Sequence, residues 1–109
     1  ICREILSAIN PKKVDGFKKI IQETATFYEI KEKDIISDSR KKEIVVPRQV
    51  VMYLLRNEIN ASFPFIGRKM GNKDHTTVMH AYKKISLKIK EDSSFSEEIS
   101  LLKNKIYSA

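Results

Sequence analysis

The run Gly71-Asn72-Lys73-Asp74-His75-Thr76-Thr77-Val78-Met79-His80-Ala81-Tyr82-Lys83-Lys84-Ile85 sets imidazole, hydroxyl, carboxylate and ammonium groups beside regularly spaced apolar residues. Asp74 is a suitable N-cap, because its carboxylate can accept from the free amides of a first helical turn. His75, Thr76 and Thr77 then fill that turn. At about 100° per residue, Val78, Ala81, Tyr82, Ile85 and Ile89 share one side, the spacing of a buried face. Thr76, His80, Lys83 and Lys84 share the other. Threonine hydroxyls and an imidazole can address base edges, a threonine methyl can touch the thymine methyl, and lysines can reach phosphates. The pattern therefore predicts a helix from Asp74 to about Lys90 whose tip either fits a DNA major groove or is the Thr-rich start of an ordinary surface helix.

Catalysis is a poorer use of the same residues. Asp74, His75 and Thr77 could form a catalytic cluster, and His75 with His80 could ligate a metal. Two histidines five positions apart lie about 140° apart around a helix, however, and no third ligand is adjacent. No Gly-x-Gly-x-x-Gly or Gly-x-x-x-x-Gly-Lys-Ser/Thr pattern occurs, so the usual nucleotide cradles are missing. Cys2 is the single cysteine, which excludes a disulfide within the chain and a cysteine-based metal cage. No catalytic, cofactor or metal site is expected within these residues.

The charge is localised. The 109 residues carry a net +7. Residues 1–39 hold seven Lys/Arg and seven Asp/Glu, whereas residues 40–90 hold twelve Lys/Arg against Glu43, Glu58 and Asp74, a net +9. Residues 91–109 are net −2. A surplus serving only solubility would be spread more evenly, so the pattern points to a polyanion partner for the middle segment. A basic module docking on an acidic protein would satisfy the charge as well, but without any sequence preference among polyanions. No run of ~18 apolar residues and no signal peptide is evident, so no membrane role is expected and a soluble cytoplasmic protein is the default.

The remaining elements follow from periodicity and breakers. Ile1 to about Asn10 reads as the end of a helix, stopped by Pro11. A second helix runs from about Val14 to Tyr28, with Phe17, Ile20, Ile21, Thr24 and Tyr28 on one face. Lys31 to Ser37 is a short helix or turn anchored by Ile30, Ile35 and Ile36. Arg40-Lys41-Lys42 form a basic loop. Pro47, pre-set for a first helical position, opens a helix to about Ile59 that is apolar enough to be the central core element. Its start would leave Arg48 and Gln49 beside free amides, a natural phosphate site. A short helix follows from Phe63 or Pro64 to Met70, closed by Gly71-Asn72, both tolerant of positive φ. Ser94 with Glu97 reads as a capping box for a last helix carrying Phe95, Ile99, Leu102 and Ile106. Strict alternation persists nowhere, which predicts an all-α fold of about six helices built around a helix-turn-helix.

With these elements in place, Pro47-Arg48-Gln49, Ile66-Gly67, Asp74-His75-Thr76-Thr77-Val78-Met79-His80-Ala81 and Lys84-Ile85 resemble the C-terminal DNA-binding domain of the DnaA family of bacterial replication initiators. The resemblance covers about Val14 to Tyr107, so it divides the chain into residues 14–109, the DNA-binding domain, and residues 1–13, the end of a linker helix from a preceding ATPase domain. It implies a Trp-repressor-like helix-turn-helix fold and binding to double-stranded DNA at DnaA boxes of the replication origin. ATP and Mg belong, on this resemblance, only to the absent ATPase domain, and other copies of the initiator are partners of the full-length protein. By position, Asp74, His75 and Thr76, with Thr77 beside them, match residues that read bases or set the reading helix in the major groove. Arg40, in the basic loop with Lys42, matches an arginine that enters the adjacent minor groove. Arg48, Gln49, Arg56, Phe63, Pro64, Lys73 and His80 match positions of backbone or nearby contacts. Where the family commonly has Gly-Gly-Arg, this chain has Gly71-Asn72-Lys73, which keeps the charge without the planar fork. Met79 replaces the usual Leu, a volume-conserving change. A helix-turn-helix transcriptional regulator of another family would share the chemistry but not the Asp-His-Thr-Thr run.

Overall fold

The computed structural model describes residues 16–107, all helical or in short connections. The expected linker helix in residues 1–13 lies outside them. Helix α1 spans residues 16–27 and α2 spans Glu32–Ile35. Helix α3 runs Lys42–Ile59, α4 Phe63–Lys69, α5 His75–Glu91 and α6 Ser93–Tyr107. Six helices and no strand occur among the described residues, as the periodicity anticipates.

Helix α3 is the axis of the core. Val50, Val51, Met52, Leu54 and Leu55 are almost wholly enclosed, which makes α3 apolar on most of its circumference, as a central helix must be. Helix α5 packs against α3, α4 and α6, and α2 rests on α3. Ile20, Ile21 and Ala25 of α1 join the same cluster, as do Phe95, Ile99, Leu102 and Ile106 of α6. A single core therefore holds all six helices.

Two helix starts and one anchor differ from the sequence reading. Helix α3 begins at Lys42, so Pro47 lies inside it and Arg48 is well past its N-terminus. Proline removes one intrahelical donor, yet burial of Ile44 upstream favours carrying the helix back by a turn. Helix α6 is capped by Asp92, whose Oδ1 accepts from the Phe95 amide at 3.1 Å; Ser94 is exposed and already inside the helix. Ile36 is 39% exposed and does not anchor α2, whereas Ile35 is fully buried.

Left-handed residues close α1 and α3. Glu29 at φ 58° ends α1, and the Ile30 amide donates to the Ala25 carbonyl at 2.9 Å. Asn60 at φ 55° ends α3. Both follow the αL closing pattern of helix C-termini, without glycine.

Candidate nucleic-acid interface

The two helices of the helix-turn-helix are α4 and α5, and glycine sets their distance. A β-carbon on Gly67 would stand 2.2 Å from the Lys73 carbonyl oxygen, so only hydrogen fits there. The close approach lets the Lys73 amide donate to the Gly67 carbonyl at 2.8 Å. Gly71 at φ 86° and Asn72 at φ 59° then turn the chain. Asp74 caps α5 by accepting from the Thr76 amide at 3.3 Å, as its position predicts.

Helix α5 presents two faces. Val78, Ala81 and Ile85 are buried, and Asp74, His75, Thr76, Thr77, His80, Lys83 and Lys84 are exposed. The His75 Nδ1 lies 3.6 Å from Asp74 Oδ1, so the capping carboxylate stands beside the first imidazole. The tip is thus free on its outer side and rigid on its inner one.

Beside it, α3 and α5 frame a groove of about 320 Å³ lined by Val45, Arg48, Gln49, Met52, Lys73, Thr77, His80, Ala81 and Lys84. The fold brings together five of the residues singled out from sequence: Arg48, Gln49, Lys73, Thr77 and His80. Lys84 also lines it, although its sequence position suggested only an outward cation. Met52, on the helix expected to be the central core element, is 1% exposed, yet it also lines the groove. The Gln49 Oε1 is buried and has no hydrogen-bond partner among the described residues.

Arg48 departs from its expected placement at a helix start. It is 8% exposed, and its Nε donates to the Ile35 carbonyl at 2.8 Å. One terminal nitrogen donates to the Asp34 carbonyl at 3.3 Å and reaches Ser37 Oγ at 3.5 Å. Burial lowers its pKa, opposed by the charge of Asp38. The guanidinium ties the 34–37 segment to α3 and does not stand beside free helix-end amides.

The basic loop straddles the true N-terminus of α3. Arg40 and Lys41 precede it, Lys42 is its first residue, and all three are exposed. Cations at a helix N-terminus oppose the helix dipole, an unfavourable arrangement that a bound anion relieves. Lys73 is held against the segment just before this loop, donating to Asp38 Oδ1 at 2.9 Å and to the Ser37 carbonyl at 3.3 Å. The hydrogen bond and charge of Lys73, aided by Arg48 and Arg40, hold the Asp38 carboxyl below its ordinary range.

Arg56, Phe63 and Pro64 form a separate group at the start of α4. Ser62 caps that helix by accepting from the Phe65 amide. The Arg56 guanidinium lies 4.8 Å from the centroid of the Phe63 ring and donates to the Ala61 carbonyl. Phe63 meets Tyr82 edge-on at 5.8 Å, Tyr82 stacks on Tyr53 at 5.4 Å, and Lys103 covers Tyr53 at 6.0 Å. This cation-flanked aromatic ladder joins α3, α4, α5 and α6. Such pairs add about 0.5–1.5 kcal/mol each beyond burial. Among the described residues no group of three acids, histidines or cysteines could hold a metal ion, and no helix is long and apolar enough to cross a membrane.

The paired helices, glycine-set turn and exposed capped tip define a helix-turn-helix domain. Residues 17–85 match the family described as bacterial dnaA protein helix-turn-helix, and the chain belongs to that family. It is 47% identical over 88 residues to the chromosomal replication initiator protein DnaA of Lactococcus lactis subsp. cremoris, covering 81% of this chain and 19% of that protein. It is 42% identical over 106 residues to the DnaA of Streptococcus thermophilus, covering 91% of this chain and 23% of that one. A crystal structure of a DNA replication initiation factor superposes with a TM-score of 0.78 at 32% identity, covering 94% of this chain and 31% of that one. The chain spans about a fifth of the length of these curated relatives.

Proposed function

We propose that this domain binds double-stranded DNA sequence-specifically at DnaA boxes of a replication origin and thereby serves initiation of chromosomal replication. The observation that carries the reading is the two-faced start of α5. His75, Thr76 and Thr77 are exposed on a tip capped by Asp74, while Val78, Ala81 and Ile85 fix the helix from behind. A tip held this way can enter a major groove without losing its side-chain order.

The cations divide by reach. Arg40 and Lys42, exposed at the start of α3, serve the adjacent minor groove and its phosphates. Lys84, with His80 and Gln49 along the α3–α5 groove, lies beside a strand backbone tracked by α5. Arg56, Phe63 and Pro64 supply a second backbone contact at the α4 N-terminus. Phosphate contacts provide most of the affinity, and His75, Thr76 and Arg40 the discrimination. Other copies of the full-length initiator are further partners of this reading.

A fluorescence-anisotropy titration against a consensus DnaA box and a scrambled duplex, at two salt concentrations, tests it. The expected result is tighter binding to the box with a steep salt dependence for both. Equal affinity for the two duplexes refutes it.

A further inference from the structure

Beside the proposed interface, one ion pair joins segments 35 residues apart in sequence. Lys73 precedes His75 by two residues, and Asp38 precedes Arg40 by two. The pair between them therefore sits at the root of both elements that would reach into DNA. The Lys73 side chain is 15% exposed and the Asp38 side chain 95%.

The surrounding contacts make this joint a defined one. The Gly71 backbone lies against the Ile36 carbonyl so closely that a β-carbon would stand 2.3 Å from that oxygen. Arg48 holds the Asp34 and Ile35 carbonyls and Ser37 Oγ from the other side. The backbone up to Ser37 is thus clamped between α3 and the helix-turn-helix turn. Within the loop the Ser39 amide donates to Ser37 Oγ at 3.2 Å and the Lys41 amide to Ser39 Oγ at 3.3 Å, and the Asp38 carboxylate ties this segment across to Lys73.

Stability gives only a modest reason for it, since Asp38 is open to solvent although Lys73 is largely covered, and pairs screened by water contribute little. A carboxylate on a face of net positive charge also weakens attraction to any polyanion. Its compensating effect has to lie in discrimination, which is a difference between two affinities. With its ammonium engaged, Lys73 adds less to indiscriminate phosphate binding, and the loop carrying Arg40 keeps a fixed relation to the α5 tip.

We propose that Asp38 is a specificity-determining positioning residue: through Lys73 it sets the Arg40 loop at a fixed distance from the His75 tip and withholds Lys73 from general phosphate binding. The inference rests on the two-element reading of DNA given above. It assigns Lys73 to bracing the loop and not to a backbone contact.

The test compares the 109-residue chain with its Asp38→Asn and Asp38→Glu variants. One readout is the NMR order parameters of the Ser39, Arg40 and Lys41 amides without DNA. The other is the ratio of Kd for a scrambled duplex to Kd for a DnaA box, with salt slopes. Asp38→Asn lowers the order parameters, cuts the ratio by roughly three- to tenfold, and steepens the salt slope on scrambled DNA by about one unit as Lys73 loses its counter-charge. Asp38→Glu, which keeps a carboxylate within reach, restores all three. Where the wild type prefers the box, an unchanged ratio in Asp38→Asn, or an Asp38→Glu as impaired as Asp38→Asn, overturns the proposal. Where the wild type shows no preference, the DNA-box reading falls by itself. Order parameters that Asp38→Asn leaves unchanged then overturn the positioning role as well.

Discussion

Gly71 packs its backbone against the carbonyl of Ile36, with room for a hydrogen and for nothing larger. Its φ of 86° belongs to the left-handed region, so both its space and its conformation exclude a side chain. This contact joins the helix-turn-helix turn to the segment that leads into the basic loop. Gly71→Ala should destabilise the domain by about 1–3 kcal/mol through backbone strain and displacement of the 36–38 segment. Urea denaturation measures it, and an unchanged midpoint would show that the turn can re-form without this approach.

His75 and Thr76 are exposed, so removing their side chains should leave the fold intact. His75→Ala or Thr76→Ala should each cost about 1–3 kcal/mol on a DnaA box and much less on scrambled DNA. Anisotropy titrations on both duplexes check this. Equal losses on the two would remove any base-reading role.

Arg40 stands in a loop that the core does not use. Arg40→Ala should lower affinity for the box while the melting temperature stays within about 1–2 °C of the wild type, as for surface changes worth ±0.5 kcal/mol or less. A large fall in melting temperature would mean that the loop supports the fold.

Arg48 should behave in the opposite way. Arg48→Met deprives the Ile35 and Asp34 carbonyls of their donor and should destabilise by about 1–3 kcal/mol. Calorimetric melting tests it. A variant that melts like the wild type but binds all duplexes less tightly would restore Arg48 to the role of a free phosphate ligand.

Glu58 joins the C-terminal ends of α3 and α6. Burial pushes its carboxyl up, but hydrogen bonds from Tyr107 and Asn57 and the nearby Lys103 outweigh this and hold it below its ordinary value. The Tyr107 hydroxyl, donating to Glu58, is pushed up to about 12. A lowered carboxyl contributes stability above its unfolded pKa and loses it as pH falls through the folded one. A raised tyrosine contributes stability below its usual 10.0 and loses it as pH climbs toward about 12. The urea midpoint should therefore decline on both sides, and Tyr107→Phe should flatten the alkaline decline. An unaltered alkaline limb in that variant would show that another group titrates there.

Much of this protein was legible as a string of residues because helix formation and capping are local. The 3.6-residue period placed Val78, Ala81 and Ile85 inward, and Asp74 marked the start of α5 because a cap bonds to amides two or three positions away. The net +9 of residues 40–90 likewise needed only counting. Tertiary packing decided what lies beyond that range. Burial of Ile44 carried α3 back past Pro47, and Asp92 replaced Ser94 as the cap of α6. The placement of Arg48 was not legible because its partners, Ile35 and Asp34, are more than a dozen residues away. The Asp38–Lys73 pair left no trace in the sequence for the same reason: periodicity reports on neighbours along one helix, whereas ion pairs depend on where separate helices come to rest.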